Sequence, residues 1–189
     1  HLNGATRVDV RLERGRRFAR LDHGEAYFDV AHDADRPFAV RAGASEIRVL
    51  GTAFDVEMGR GEVKLAVYRG KVRFGSADSR GRSVDVSAGW RSRFGNGAAS
   101  QPKRFDATRE DWRRGWIDTD DMRLTELIDA LNRRDGPMIM EPPPAIANLK
   151  LSGRFRAENP QTLLTAIGDA YGFGLVAEGD KLRLVATAD

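Results

Sequence analysis

The first half of the chain alternates apolar and polar residues with a period of two. The runs fall at residues 8–12, 26–30, 38–40, 47–50, 54–56, 63–68, 71–74, 84–86 and 90–94. Such alternation sends one set of side chains into a core and the other into water, so each run is expected as a strand. Turn signals separate them: Glu13-Arg14-Gly15, His23-Gly24, Ala42-Gly43, Gly59-Arg60-Gly61, Arg69-Gly70 and Arg80-Gly81. Short strands at roughly 8–12-residue spacing predict an all-β domain over residues 1–96. It is a short-strand sandwich or an irregular β-solenoid, irregular because no fixed-length sequence repeat is visible.

Residues 97–115 then read as a linker, since Gly95-Asn96-Gly97-Ala98-Ala99-Ser100-Gln101-Pro102 is small and polar. A short helix carrying Trp112 is expected over residues 106–114. From residue 116 the pattern changes to a mixed one. Trp116-Ile117-Asp118 is a strand candidate. Leu124, Leu127, Ile128 and Leu131 lie at i, i+3, i+4 and i+7, one stripe of an amphipathic helix. Asp120 and Asp121 are placed to cap that helix, and Gly136-Pro137 to end it. Strands are expected at Met138-Ile139-Met140 and over residues 149–155. A second helix opens with Asn159 as N-cap and Pro160 at the first helical position, and Gly172 stops it. Strands follow at residues 173–176 and 181–185. The order β-α-β, then β-α-β-β, predicts a small α+β domain over residues 116–189, with its helices on one face of a small sheet.

Composition narrows the function. Apolar residues make up 41% of the 189, enough for genuine cores. The 31 Lys and Arg nearly balance 28 Asp and Glu, and the arginines are interleaved with acids along the chain. That is a solvated surface rather than a nucleic-acid footprint. A nucleic-acid-binding α+β module remains an alternative; it would need exposed aromatics and a basic stripe on the sheet, which residues 116–189 do not clearly supply. The absence of cysteine excludes disulfides, thiolate metal sites and a Cys nucleophile. No apolar run approaches the ~20 residues that span a bilayer. The chain opens without a signal-peptide pattern and reads as a fragment lacking its targeting or anchoring segment.

Few residues suggest chemistry. No GxSxG, HExxH or P-loop pattern is present, so no turnover catalysis, cofactor or metal is expected. His32 near Asp33 and Asp35 reads as a polar turn, and Glu25 as a buried, hydrogen-bonded structural residue. Gly51-Thr52 is the exception: the Thr52 hydroxyl could attack the preceding carbonyl, given backbone strain of ~1–3 kcal/mol. The preferred reading of this dipeptide is a glycine at a bend with threonine opening a strand. Trp90, Trp112 and Trp116 bracket the linker and either pin two domains together or belong each to its own core. Met138, Ile139 and Met140, with Pro142-Pro143-Pro144 blunting the run, form one candidate strand edge for a partner. Leu149, Leu151 and Phe155 form a second. A cell-wall ligand binder is a further alternative, ranked last because the β-domain shows no aromatic cluster for sugars.

Several stretches together resemble the FecR family of anti-sigma regulators. They are residues 24–33 (Gly-Glu-Ala-Tyr-Phe-Asp-Val-Ala-His-Asp), Arg36-Pro37-Phe38-Ala39-Val40, residues 49–56 (Val-Leu-Gly-Thr-Ala-Phe-Asp-Val) and residues 67–72. Residues 116–189 are similar to the STN domain of secretins and TonB-dependent transducers, through residues 127–133, Leu151-Ser152-Gly153-Arg154-Phe155 and Asn159-Pro160. The resemblance implies the periplasmic region of an inner-membrane protein of a Gram-negative bacterium. Its implied partner there is the periplasmic signalling domain of a TonB-dependent transducer, in iron or siderophore uptake. An extracytoplasmic-function sigma factor would be controlled through a cytoplasmic segment, beyond a transmembrane helix, both outside this sequence. It also implies self-cleavage between Gly51 and Thr52.

Overall fold

The computed structural model describes residues 1–13, 15–78, 82–109 and 111–186. The turns expected at Arg14 and at Arg80-Gly81 fall outside the described residues. The chain divides into two compact units, His1–Arg109 and Glu110–Asp189. Among the described residues, no helix is long and apolar enough to cross a membrane.

The first unit is all β. Its strands are β1 (Arg7–Glu13), β2 (Arg16–Asp29), β3 (Phe38–Ala42), β4 (Ser45–Val49), β5 (Ala53–Met58), β6 (Val63–Arg69), β7 (Lys71–Ser76), β8 (Val84–Ser87), β9 (Trp90–Gly95), β10 (Ala98–Ala99) and β11 (Lys103–Arg104). They form one sheet in the order β10-β9-β6-β5-β2-β3-β4-β7-β8, with β1 on β2 and β11 on β9.

The long β2 belongs to both halves of that sheet. Residues 17–21 pair in parallel with β3, and residues 24–29 pair antiparallel with β5. Ala19 and Leu21 point inward in the first half, Ala26 in the second, so the inward phase flips near His23-Gly24. A one-residue shift of this kind exchanges the faces of a strand. It explains why simple alternation reveals only residues 26–30 of a 14-residue strand. The halves fold over one another: the Phe74 ring of β7 meets that of Phe94 of β9 at 6.1 Å, and Phe28 meets Phe38 at 5.9 Å. Between them lie Val40, Ile47, Phe54, Val56, Leu65, Val67, Val72 and Val86, all essentially without solvent contact.

The stretch expected as a linker is structured at its start. Ala98-Ala99 and Lys103-Arg104 return along β9, Ser100 N–H donates to Arg93 O at 2.8 Å, and Phe105 N–H donates to Gly89 O at 3.0 Å. Neither dipeptide carries a hydrophobic alternation, so the sequence pattern does not mark them as strands. Among the described residues of 106–114 no α-helix forms. Asp106 instead builds an Asx turn to Thr108 N–H (3.0 Å), and only a 3₁₀ turn forms at Trp112–Arg114, capped by Asp111.

The second unit contains β12 (Trp116–Arg123), α1 (Leu124–Asn132), β13 (Met138–Ile139), α2 (Pro144–Ala147), β14 (Lys150–Arg156), α3 (Pro160–Tyr171), β15 (Phe173–Glu178) and β16 (Lys181–Ala186). The helices cover two small sheets, β12-β14 and β13-β16-β15, not one. The core joins Leu124, Leu127, Ile128 and Leu131 of α1 to Leu164 and Ile167 of α3, and to Ile139, Leu151, Leu182 and Leu184 of the strands. As expected, Asn159 accepts a hydrogen bond from Thr162 N–H, Pro160 opens α3, and Gly172 closes it in the left-handed region.

Asp120 and Asp121 do not cap α1. They lie in β12 at an irregularity against β14, Asp121 has φ +65°, and its carboxylate takes Lys150 Nζ at 2.9 Å. The free N–H of Leu124 finds the carbonyl of Leu149 instead, at 2.9 Å. The helix stops at Asn132, ahead of Gly136-Pro137.

Candidate functional site

Gly51-Thr52 joins β4 to β5 inside the first unit. The carbonyls on either side of Gly51 are both held by the loop after β2. Asp33 N–H donates to Leu50 O at 2.8 Å, and Val30 N–H donates to Thr52 O at 2.9 Å. A Cβ on Gly51 would lie 2.4 Å from His32 Cα, so only glycine fits against that backbone. From the other side comes Gly70, at φ +80°; a Cβ there would stand 2.8 Å from Thr52 Cγ2 and 3.0 Å from Gly51 O. The dipeptide is therefore crowded between two glycine-permitted contacts.

Gly51 itself does not take a positive φ. What distinguishes the step is the Thr52 side chain, only 2% exposed, whose Oγ1 is buried without a hydrogen-bond partner among the described residues. An unmet buried hydroxyl costs about 1–3 kcal/mol, whereas an apolar group of the same shape costs nothing comparable. Thr52→Val is therefore expected to stabilise the chain by about 1 kcal/mol in urea unfolding.

The clamp on this step rests on Asp33. Arg36 donates to it from its backbone N–H at 3.1 Å and from Nε at 2.9 Å, while Arg17 bonds the carbonyls of Ala31, Asp33 and Arg36. Desolvation pushes the Asp33 carboxyl up. The Arg36 hydrogen bonds and the charges of Arg36 and Arg17 outweigh it and hold the group below its ordinary value. A depressed folded-state pKa gives stability that is present above the unfolded value and lost as pH falls through the folded one. Protection of the Val30 and Asp33 amides against exchange is thus expected to hold down to the ordinary carboxylate value of 3.8 and to fall as the pH drops below it, and to lose that dependence in Asp33→Asn.

Glu25 is buried and accepts from Asn3 Nδ2 at 2.7 Å. Trp90 carries the Arg104 guanidinium at 5.3 Å, and Trp116 carries those of Arg154 and Arg156 at 4.3 and 5.1 Å. The aromatic cluster invisible in the sequence does exist: Tyr27, Tyr68 and Phe105 follow one another at 5.6 and 5.4 Å, brought together by the pairing of distant strands. Both contacts are edge-on, with interplanar angles of 65° and 85°, so the rings do not form a flat platform for a sugar.

The expected partner residues separate by burial. Met138 and Met140 are exposed, 60% and 37%. Ile139 and Leu151 are core residues, and Leu149 and Phe155 are half-buried against that core. These four were placed at a surface because period two cannot tell which face of a short strand is covered. The β13 edge is not blunted by its prolines either. Pro143 and Pro144 open α2, and it is Asn132 at the end of α1 that masks the edge. Its Oδ1 accepts from Ile139 N–H at 2.9 Å, and its Nδ2 donates to Ile139 O at 2.8 Å.

An all-β unit followed by a small α+β unit is also the fold of a candidate anti-sigma factor from Parabacteroides distasonis ATCC 8503, known from crystal structures at 1.65 and 2.50 Å. The first has a TM-score of 0.86 at 22% identity, covering 100% of this chain and 90% of that one. The second gives 0.85 and 22%, covering 100% and 89%. At that identity the likeness is one of fold. No curated protein sequence matches the chain. Residues 1–73 match the family described as FecR protein.

Proposed function

We propose that the chain is the periplasmic signalling region of an inner-membrane anti-sigma regulator. It receives a signal from a TonB-dependent outer-membrane transducer and passes it to an extracytoplasmic-function sigma factor, in iron or siderophore uptake. The family match over residues 1–73, which contains the crowded Gly51-Thr52 step, carries this reading. The shared fold with a candidate anti-sigma factor supports it. The second unit acts as an STN-like receiver. Because Asn132 occupies the backbone groups of Ile139, the transducer contacts the exposed Met138 and Met140 side chains rather than adding a strand to β13. Calorimetry of the full chain against the signalling domain of the transducer encoded beside it tests this. Binding is expected, weakened at least tenfold by Met138→Glu with Met140→Glu, a loss of about 1.4 kcal/mol. Absence of binding by the native chain would reject the relay.

The first unit would add one covalent step. The Thr52 Oγ attacks the Gly51 carbonyl carbon, its proton passes to the departing Thr52 nitrogen, and the C–N bond gives way to an ester. Water then hydrolyses the ester to a Gly51 carboxylate and a free Thr52 hydroxyl. The uncommitted Thr52 hydroxyl supports this reading. With no hydrogen-bonded base, the step is slow and occurs once per chain. Intact mass after prolonged incubation is expected to reveal two fragments from the native chain and none from Thr52→Val. An unbroken native chain would reject it.

A further inference from the structure

Among the described residues, β1 is an edge strand. It pairs with β2 alone, so among the described residues its other edge of backbone N–H and C=O groups meets no strand. Proteins blunt such edges with proline, a bulge or charged side chains, lysine above all, and the charges of β1 admit only a strand that complements them. Between Val8 and Glu13 there is no proline or lysine, and the register against β2 is regular. The apolar face is also uncovered. Val10 and Leu12 lie opposite Ala19 and Arg17 but are 56% and 73% exposed, whereas Ala19 is fully buried.

The sequence of β1, Arg-Val-Asp-Val-Arg-Leu-Glu, is complementary to itself when antiparallel. A two-fold axis at Val10 sets Arg7 opposite Glu13 and Asp9 opposite Arg11 of a second copy on one face. On the other face it sets Val8 opposite Leu12 and Val10 opposite Val10. Every charged pair is of opposite sign and every other pair is apolar. A slip by two residues one way opposes Arg7 to Arg11 and Asp9 to itself. The other way, it opposes Asp9 to Glu13 and Arg11 to itself. A slip by one sets apolar residues against charges, and parallel in-register pairing sets like on like. Like charges directly opposite are destabilising. Among the described residues, Arg11 and Glu13 have no ion-pair partner within their own chain, and this register supplies one to each.

We propose that a second copy of this chain docks along β1, continuing the sheet across a two-fold axis at Val10. The contact is isologous, as closed dimers require. It is small against the ~800 Å² per partner of standard interfaces, so association is weak and reversible. The proposal is independent of the signalling role.

Sedimentation of the full chain from about 1 μM to about 1 mM tests it, a range that spans weak dimerisation. The mass is expected to rise from 20.9 kDa towards twice that value. Val10→Lys, which sets two ammonium groups on the axis, is expected to weaken association at least tenfold. Arg11→Asp is expected to do the same, because the new carboxylate faces Asp9 of the second copy. Adding Asp9→Arg to Arg11→Asp exchanges the two charges and is expected to restore association to within about threefold, since the opposite-sign pairing is kept. These side chains lie on an exposed strand, and unchanged circular dichroism and melting temperature show that each variant folds. A native chain that stays monomeric, a dimer indifferent to Val10→Lys, or a charge exchange that fails to rescue would each overturn the proposal.

Discussion

Phe54→Ala is expected to cost about 3–5 kcal/mol, the range for deleting a buried aromatic ring. Phe54 has no solvent exposure and stacks on Phe28, with ring centroids 5.3 Å apart. It sits in register with Phe28 of β2 and Val67 of β6, so its ring lies where three strands meet. Backbone pairing on both sides prevents those strands from closing over the void, and a cavity that cannot collapse gives costs at the upper end. Native domains are stable by only about 5–15 kcal/mol, so this one ring is a large share of what holds the first unit folded. Urea unfolding followed by fluorescence and circular dichroism measures the loss. A cost below about 1 kcal/mol would mean that this core is not packed as described.

Gly51→Ala is expected to cost about 3 kcal/mol, at the high end for forcing a group into filled space. The added methyl would stand 2.4 Å from His32 Cα, and a backbone atom cannot rotate away as a side chain would. Relief requires the loop after β2 to move, which breaks the hydrogen bonds from Val30 to Thr52 and from Asp33 to Leu50. Gly59→Ala is the control, because its Cβ would meet nothing nearer than 3.7 Å and its φ is not positive. A change within about 0.5 kcal/mol is expected there. Equal effects at the two positions would show that the crowding at Gly51 is not rigid. Gly51→Ala is also expected to expose the Gly51-Thr52 step to added protease, which Phe54→Ala does through the neighbouring strand.

Much of this architecture was legible before any coordinates. Each alternating run became a strand, because period two is the geometry of a strand with one face in a core. The helix over Pro160–Tyr171 was marked at both ends by Asn159, Pro160 and Gly172, residues whose backbone preferences are local. The Leu124, Leu127, Ile128 and Leu131 stripe likewise located a helix, since its buried face is written into a single segment. Signals confined to a few neighbouring residues therefore determined element type, the change from all-β to α+β, and the family motifs.

The tertiary structure decided whatever depended on residues distant in sequence. It alone carried β2 across both halves of the sheet, since the face flip near Gly24 erases the alternation. Pairing to β9 gave Ala98-Ala99 and Lys103-Arg104 their strand form without any hydrophobic pattern. Ile139 and Leu151 went into a core because helices from elsewhere cover them, and Asn132 closed an edge that the prolines seemed placed to close. At the candidate cleavage step, the glycine and threonine were visible, but the His32 backbone against Gly51 and the missing partner of Thr52 Oγ1 were not. Local periodicity reports which face of an element seeks burial. Only the packed chain determines what covers that face, and which polar groups are left unmet beneath it.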